Sequence, residues 1–237
     1  MTTQELTYQH DTITFRAFCA FPENLREKTP AVLIAPAWAG RDKFACDQAE
    51  RMTELGYIGI ALDVYGEAKL GSNKEENMQL VMPLFENRSL LLQRLKAGLD
   101  AVCQMSNVDN DRIALVGFCF GGLCGLDMAR AGCHLKGVVS FHGNLTKPDW
   151  SADANIATKL LVLHGYDDPS VPPEKVCEFM DEMTQCQADW QLHAFSQTKH
   201  AFTNPEADDP SIGNAYNALS AERGWLIAFD FLSECFE

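Results

Sequence analysis

Five short runs of nearly uninterrupted apolar residues decide what this chain can become. They are Ala31–Ala35, Tyr57–Leu62, Ile113–Val116, Val138–Phe141 and Leu160–Leu163. A strand that is apolar on both sides must be covered on both faces, which is the condition of a parallel sheet and not of a half-exposed antiparallel one. Helical patterns separate the runs. Residues 43–55 place Phe44, Ala45, Ala49, Met52 and Leu55 at a 3.6-residue period and stop at Gly56. Residues 77–105 form a long helical stretch that Pro83 is expected to split. Residues 120–131 read as a helix rich in small residues, 173–186 as a helix with Pro173 in its first turn, and about 214–235 as a closing helix. Thr12–Phe18 reads as one strand of an N-terminal hairpin, Asp189–Phe195 as a weakly alternating strand, and residues 66–76 as a loop. The alternation predicts an α/β fold, a mostly parallel central sheet with helices on both faces and right-handed crossovers. No linker, charge block or repeat interrupts it, so residues 1–237 are expected to form one domain.

Charge narrows the partners. Nineteen Lys and Arg against thirty-three Asp and Glu give a net −14. That surface repels phosphate backbones and anionic lipid, so neither nucleic acid nor membrane is an expected partner. No window of 18 uncharged apolar residues occurs, and Met1–Glu5 lacks a basic, then apolar, leader pattern. The nine cysteines are odd in number and form no C-x-x-C pair, which suits reduced thiols in a cytoplasmic protein. No H-E-x-x-H or clustered His/Cys set suggests a metal, and no P-loop or G-x-G-x-x-G spacing suggests a nucleotide, so no cofactor is expected. A monomer is the default.

Ligands in such sheets bind beyond the C-terminal ends of the strands, so the loops after Ala35, Val116, Leu163 and Phe195 matter most. After Val116 comes Gly117-Phe118-Cys119-Phe120-Gly121-Gly122, a G-x-C-x-G turn between a strand and a helix. Such a turn lifts the central side chain above the sheet, needs small residues two before and two after it, and aims the helix N-terminus at the side chain. That end of a helix favours a thiolate. A buried cysteine in a glycine-rich turn has the same sequence, so the motif gains weight only from an acid and a base at later strand tips. Leu163 leads into His164-Gly165-Tyr166-Asp167-Asp168, and Phe195 leads to His200 in the last loop. The chain order is nucleophile, acid, base, as in α/β-hydrolases.

Together Gly117–Gly122, His164-Gly165-x-x-Asp168-x-x-Val171-Pro172 and His200-Ala201-Phe202 resemble the dienelactone hydrolase family, over about residues 12–236. The resemblance implies an α/β-hydrolase fold without a large cap domain and the hydrolysis of a small ester or lactone through an acyl-cysteine. It implies Cys119 as nucleophile, His200 as base and Asp168 as the orienting acid. Asp168 is chosen over Asp167 because the family's aspartate stands three residues after the glycine. It also implies backbone N–H donors at Phe120 and Trp38 for the oxyanion.

Two departures stand out. Where the family usually carries a glutamate before the oxyanion residue, this chain has Ala37, which leaves Cys119 to pair directly with His200 and raises its exposure to oxidation. Where dienelactone-cleaving members carry an arginine after the histidine, this chain has Asn204, and Arg41 or Arg88 is left as the substitute cation. The remaining pocket candidates are Phe118, His142, Tyr65 and Phe202, although core packing accounts equally well for Trp38, Phe118 and Phe120. His164, Cys124 and Cys133 read as structural, and Glu75-Glu76 and Asp208-Asp209 as solvated charges. A thioesterase with the same triad, and a non-catalytic binding or redox-sensing protein, are the rival readings.

Overall fold

The computed structural model describes residues 1–152 and 154–237. An eight-stranded sheet runs in the order β1-β2-β4-β3-β5-β6-β7-β8. β1 (Thr2–His10) and β2 (Ile13–Phe21) form the antiparallel N-terminal hairpin, and β2 also lies antiparallel to β4 (Ile58–Ala61). From β4 onward the sheet is parallel: β3 (Thr29–Ala35), β5 (Val108–Phe118), β6 (Gly137–Phe141), β7 (Lys159–Gly165) and β8 (Trp190–Phe195).

The apolar runs are explained by two cores, one on each face. Alternate residues of one strand go to opposite sides. Ala31, Leu33 and Ala35 of β3, with Ile113 and Leu115 of β5, face one core; Val32, Ile34, Ala114 and Val116 face the other. The first core is closed by α2 (Lys74–Glu86), α3 (Arg88–Cys103), α4 (Phe120–Arg130) and α5 (Pro173–Gln185), through Leu84, Leu91, Leu95, Leu123 and Phe179 among others. The second is closed by α1 (Lys43–Glu54) and α6 (Ala218–Phe236), through Ala49, Met52, Trp225 and Phe231. Each fully buried Leu, Ile or Phe contributes roughly 1.5–3 kcal/mol over its exposed state, so both faces must be covered for the sheet to persist.

Two expectations need correction. The helix break between residues 77 and 105 falls at Asn87, not at Pro83, and helix α2 already begins at Lys74. Pro83 stands within the last turn of α2, where a missing N–H costs one bond near the helix end. Asn87 makes the division, because its side chain accepts from the Leu90 N–H (3.0 Å) and caps α3 while its own N–H reaches the Pro83 carbonyl (3.2 Å). The last helix starts at Ala218, four residues late. Asn214–Ala215 (β10) pairs instead with Asp208–Asp209 (β9) in a small ribbon, and Asn217 caps α6 through the Ser220 N–H (3.1 Å).

Candidate active site

The turn after β5 has the shape that its sequence demands. Cys119 stands between β5 and α4 at φ 54°, ψ −113°, a conformation that L-residues rarely adopt and that costs on the order of 1–3 kcal/mol. Its N–H donates to the Phe141 carbonyl (3.0 Å), which fixes the turn to the end of β6. The two glycines are required by contact. A Cβ on Gly117 would stand 2.0 Å from the Gly121 carbonyl oxygen, and one on Gly121 would stand 1.9 Å from that of Ala35. Any side chain there would push α4 off the sheet and move the cysteine.

Asp168 and His200 converge on this turn from the tips of β7 and β8. The Asp168 carboxylate is buried. One oxygen accepts from the Ser170 N–H (2.8 Å) and the other faces His200 Nδ1 (2.6 Å). His200 is held by its backbone: its N–H donates to the Gly213 carbonyl (2.9 Å), and its carbonyl accepts from Ala215 (3.0 Å). The small β9–β10 ribbon is therefore a brace for the His200 loop. With Nδ1 committed to Asp168, Nε2 is left for Cys119, which lines the same cavity as His200. Asp167, by contrast, is exposed.

The electrostatics of the site come from this series. Burial pushes the Cys119 thiol up, but the His200 charge, the hydrogen bond from His200 and that from Phe120 outweigh it, and the thiol lies below its ordinary range. Burial pushes His200 down, but Cys119 and the Asp168 hydrogen bond outweigh it, and the imidazole lies above its ordinary range. Both shifts point to a thiolate–imidazolium pair. No carboxylate stands at Ala37 to oppose it.

Above the pair lies a cavity of about 460 Å³, walled by Ala37, Trp38, Phe118, His142 and Asn204 along with Cys119 and His200. The peptide of Ala37–Trp38 is oriented by a bond from the Gly40 N–H to the Ala37 carbonyl (3.1 Å); in a trans peptide the Trp38 N–H then points the opposite way. A larger hollow of about 1070 Å³ opens among Met1, Arg26, Lys28, Arg51 and Arg112, beside the start of β3. It lies away from the strand tips that carry Cys119, Asp168 and His200, so the smaller cavity is the candidate site.

Several sequence candidates lie elsewhere. Tyr65 is buried behind the wall, its hydroxyl donating to the Trp38 carbonyl (2.8 Å), so it braces the loop and does not line the cavity. Phe202 is fully buried against Phe141, Phe195 and His142. The Phe120 side chain packs into the core beneath α4, and His164 is buried in β7. Neither substitute cation reaches the site. Arg88 is locked onto Asp127 (2.5 and 2.6 Å), and Arg41 faces Glu5 and Cys46. The cavity does hold charges that the sequence does not single out: Lys74, Asp42 and Glu206, together with Asp208 and Asp209, which by sequence read as merely solvated. The signal that could find the last two is their position just past the histidine loop.

Three relatives give the context. A Caenorhabditis elegans protein of uncharacterised function is 36% identical over 153 residues, 62% of this chain and 94% of its own. A probable 2-oxo-3-(5-oxofuran-2-ylidene)propanoate lactonase of Bradyrhizobium is 26% identical over 84% of this chain and 81% of its own. The crystal structure of a dienelactone hydrolase-like promiscuous phosphotriesterase from metagenomic libraries superposes with a TM-score of 0.94 at 31% identity, over 100% of this chain and 99% of that one. The profile of the dienelactone hydrolase family matches residues 15–236, from the first strand hairpin through the last helix. On that match, and on the fold that accompanies it, this chain belongs to the dienelactone hydrolase family of hydrolases.

Proposed function

We propose that the protein hydrolyses a small ester or lactone through an acyl-cysteine formed on Cys119. The reading rests above all on one observation, the series Asp168–His200–Cys119, whose acid and base are buried and whose cysteine stands at the N-terminus of α4 on the cavity wall. The thiolate attacks the carbonyl carbon and the carbonyl oxygen takes the negative charge. The N–H groups of Phe120 and Trp38 receive that charge; one such donor is worth ~3–4 kcal/mol in comparable sites. His200, protonated at rest, gives its proton to the departing alkoxide. The same imidazole, now neutral, takes a proton from water, which attacks the thioester and releases the acid. Asp168 holds the imidazole's tautomer and stabilises its charged form. The lactonase description of the Bradyrhizobium relative supports a cyclic ester as substrate. The structural relative's description adds neutral phosphotriesters as a second electrophile class for the same thiolate.

The test is turnover of p-nitrophenyl acetate by the wild type and by Cys119→Ala, with intact-mass analysis after rapid acid quench. Sustained turnover, a single acetyl group trapped on Cys119 and loss of both in the variant are expected. A variant that keeps full activity overturns the reading. An inert wild type whose thiol still reacts with peroxide returns the redox-sensing alternative.

A further inference from the structure

We infer that the active-site cavity selects neutral or cationic substrates over carboxylates, through four acidic side chains at its wall and a lysine that one of them occupies. The inference rests on the hydrolase reading above and adds the charge class of the substrate. The cavity wall carries Asp42, Glu206, Asp208 and Asp209 against one cation, Lys74. Lys74 Nζ donates to Asp209 Oδ2 at 2.6 Å. That ion pair joins the start of α2 to β9 across 135 residues of sequence, so Asp209 neutralises the ammonium that an anionic substrate would need. Cys119 and His200 sum to no net charge whether the proton sits on sulfur or on the imidazole, and Asp168 behind them only adds negative charge.

Size makes the rim effective. A sphere of 460 Å³ is about 10 Å across, and the Debye length at 0.1 M salt is also about 10 Å, so a charge on the wall acts on a group bound anywhere inside. Asp42 registers this proximity: burial pushes its carboxyl up, and the Glu206 charge pushes it further.

A second, independent feature points the same way. His142 is 3% exposed, lines the cavity and bonds Thr203 through Nε2 (2.9 Å), while its Nδ1 has no partner among the described residues. Burial, and after it the His200 charge, hold this ring well below the usual histidine range, so it is neutral. It adds an uncharged ring to the cavity wall, and so supplies no cation there to hold a carboxylate.

The experiment compares kcat/KM for p-nitrophenyl hexanoate, mono-p-nitrophenyl adipate and p-nitrophenyl 6-(trimethylammonio)hexanoate, each divided by its hydroxide rate. The wild type is expected to prefer the neutral and cationic esters over the adipate by about tenfold or more at low salt, with the preference shrinking as salt rises. Asp209→Asn frees Lys74 and should narrow the preference about fivefold, whereas Lys74→Gln should widen it about as much. Glu27→Gln, an exposed change in the β2–β3 loop, alters net charge equally and should leave the ratio unchanged. Equal treatment of the three esters, or the same ratio in Asp209→Asn and Glu27→Gln, overturns the inference while leaving the hydrolase reading intact. Failure to turn over the neutral ester strikes the hydrolase reading itself and takes this inference with it.

Discussion

Helix α4 carries a buried charge cluster at each end, and the two are built in opposite ways. At its C-terminal half, Asp127 takes Arg88 in a two-bond fork, and Arg130 takes Glu182 in another (2.7 and 2.9 Å). The spare guanidinium hydrogens go to the carbonyls of Leu145 and Thr146. Two cations face two anions and the fork hydrogens are spent, so nothing is left to react. At its N-terminal end, Asp168, His200 and Cys119 form a line whose last residue, a half-buried cysteine, opens onto a cavity. One cluster is closed and ties α3, α4, α5 and the loop after β6 together. The other is open and stores strain at Cys119. Charge burial alone therefore does not mark a site; an unspent reactive atom at the end of the series does.

The sharpest break of this comparison is to remove that atom. Cys119→Ala is expected to lower kcat/KM for p-nitrophenyl acetate by about 10³-fold or more, since a group that forms the covalent intermediate has no substitute. The melting temperature should change little. The closed cluster should respond the other way round. Asp127→Ala leaves Arg88 buried without its carboxylate, which costs about 3–5 kcal/mol. For a domain of this length that lowers the melting temperature by roughly 10 °C or more, read by calorimetry. Activity per folded molecule at 25 °C should stay near the wild-type value. If the two variants exchange these phenotypes, the division between closed and open clusters is wrong.

Protonation gives the next effect. The His200 charge and hydrogen bond act against burial to hold the Cys119 thiol low. The thiol therefore ionises at a lower pH than an ordinary thiol, and iodoacetamide alkylation of Cys119 should reach its plateau at a lower pH than that of a free cysteine. His200→Ala removes the interactions that lower the thiol and leaves burial, which raises it. The alkylation profile should then move upward in pH, and the rate at pH 7 should fall about tenfold or more. Identical profiles in the two proteins would mean that no ion pair exists.

Much of this is legible in the sequence because it is local. The apolar runs report burial on both faces, and the G-x-C-x-G turn reports a close approach that only glycine permits at Gly117 and Gly121. The convergence of Asp168 and His200 is legible from position, because both lie at strand tips on one edge of a parallel sheet. The illegible part depends on long-range packing. Tyr65 stands on a loop beyond a strand, as a substrate contact should, yet its hydroxyl is spent on the Trp38 carbonyl. Arg88 looks like a free cation until Asp127, 39 residues away, claims it. Lys74 and Asp209 meet across most of the chain, and no periodicity in either segment announces the pair. Pro83 misleads because proline reads as a divider, whereas near the end of a helix it costs one bond and Asn87 does the dividing.

The smallest effect tests how closed the closed cluster is. Glu182 lies at its edge, with a side chain 10% exposed, and grips Arg130 through both carboxylate oxygens. Glu182→Gln keeps the shape and one acceptor oxygen but removes the charge. Arg130 does not become an orphan, because the Asp127 carboxylate and the carbonyls of Leu145 and Thr146 remain in place. The loss is then one of the two fork bonds together with the carboxylate charge, about 1 kcal/mol, and not the stranding of a buried ion. The melting temperature should fall by about 2–4 °C, with the ester kinetics unchanged. A loss as large as that of Asp127→Ala would show that the four side chains act as one indivisible unit. Charge balance would then matter more than the number of bonds, and the two ends of α4 would differ in stoichiometry of charge and not in the spending of hydrogen bonds.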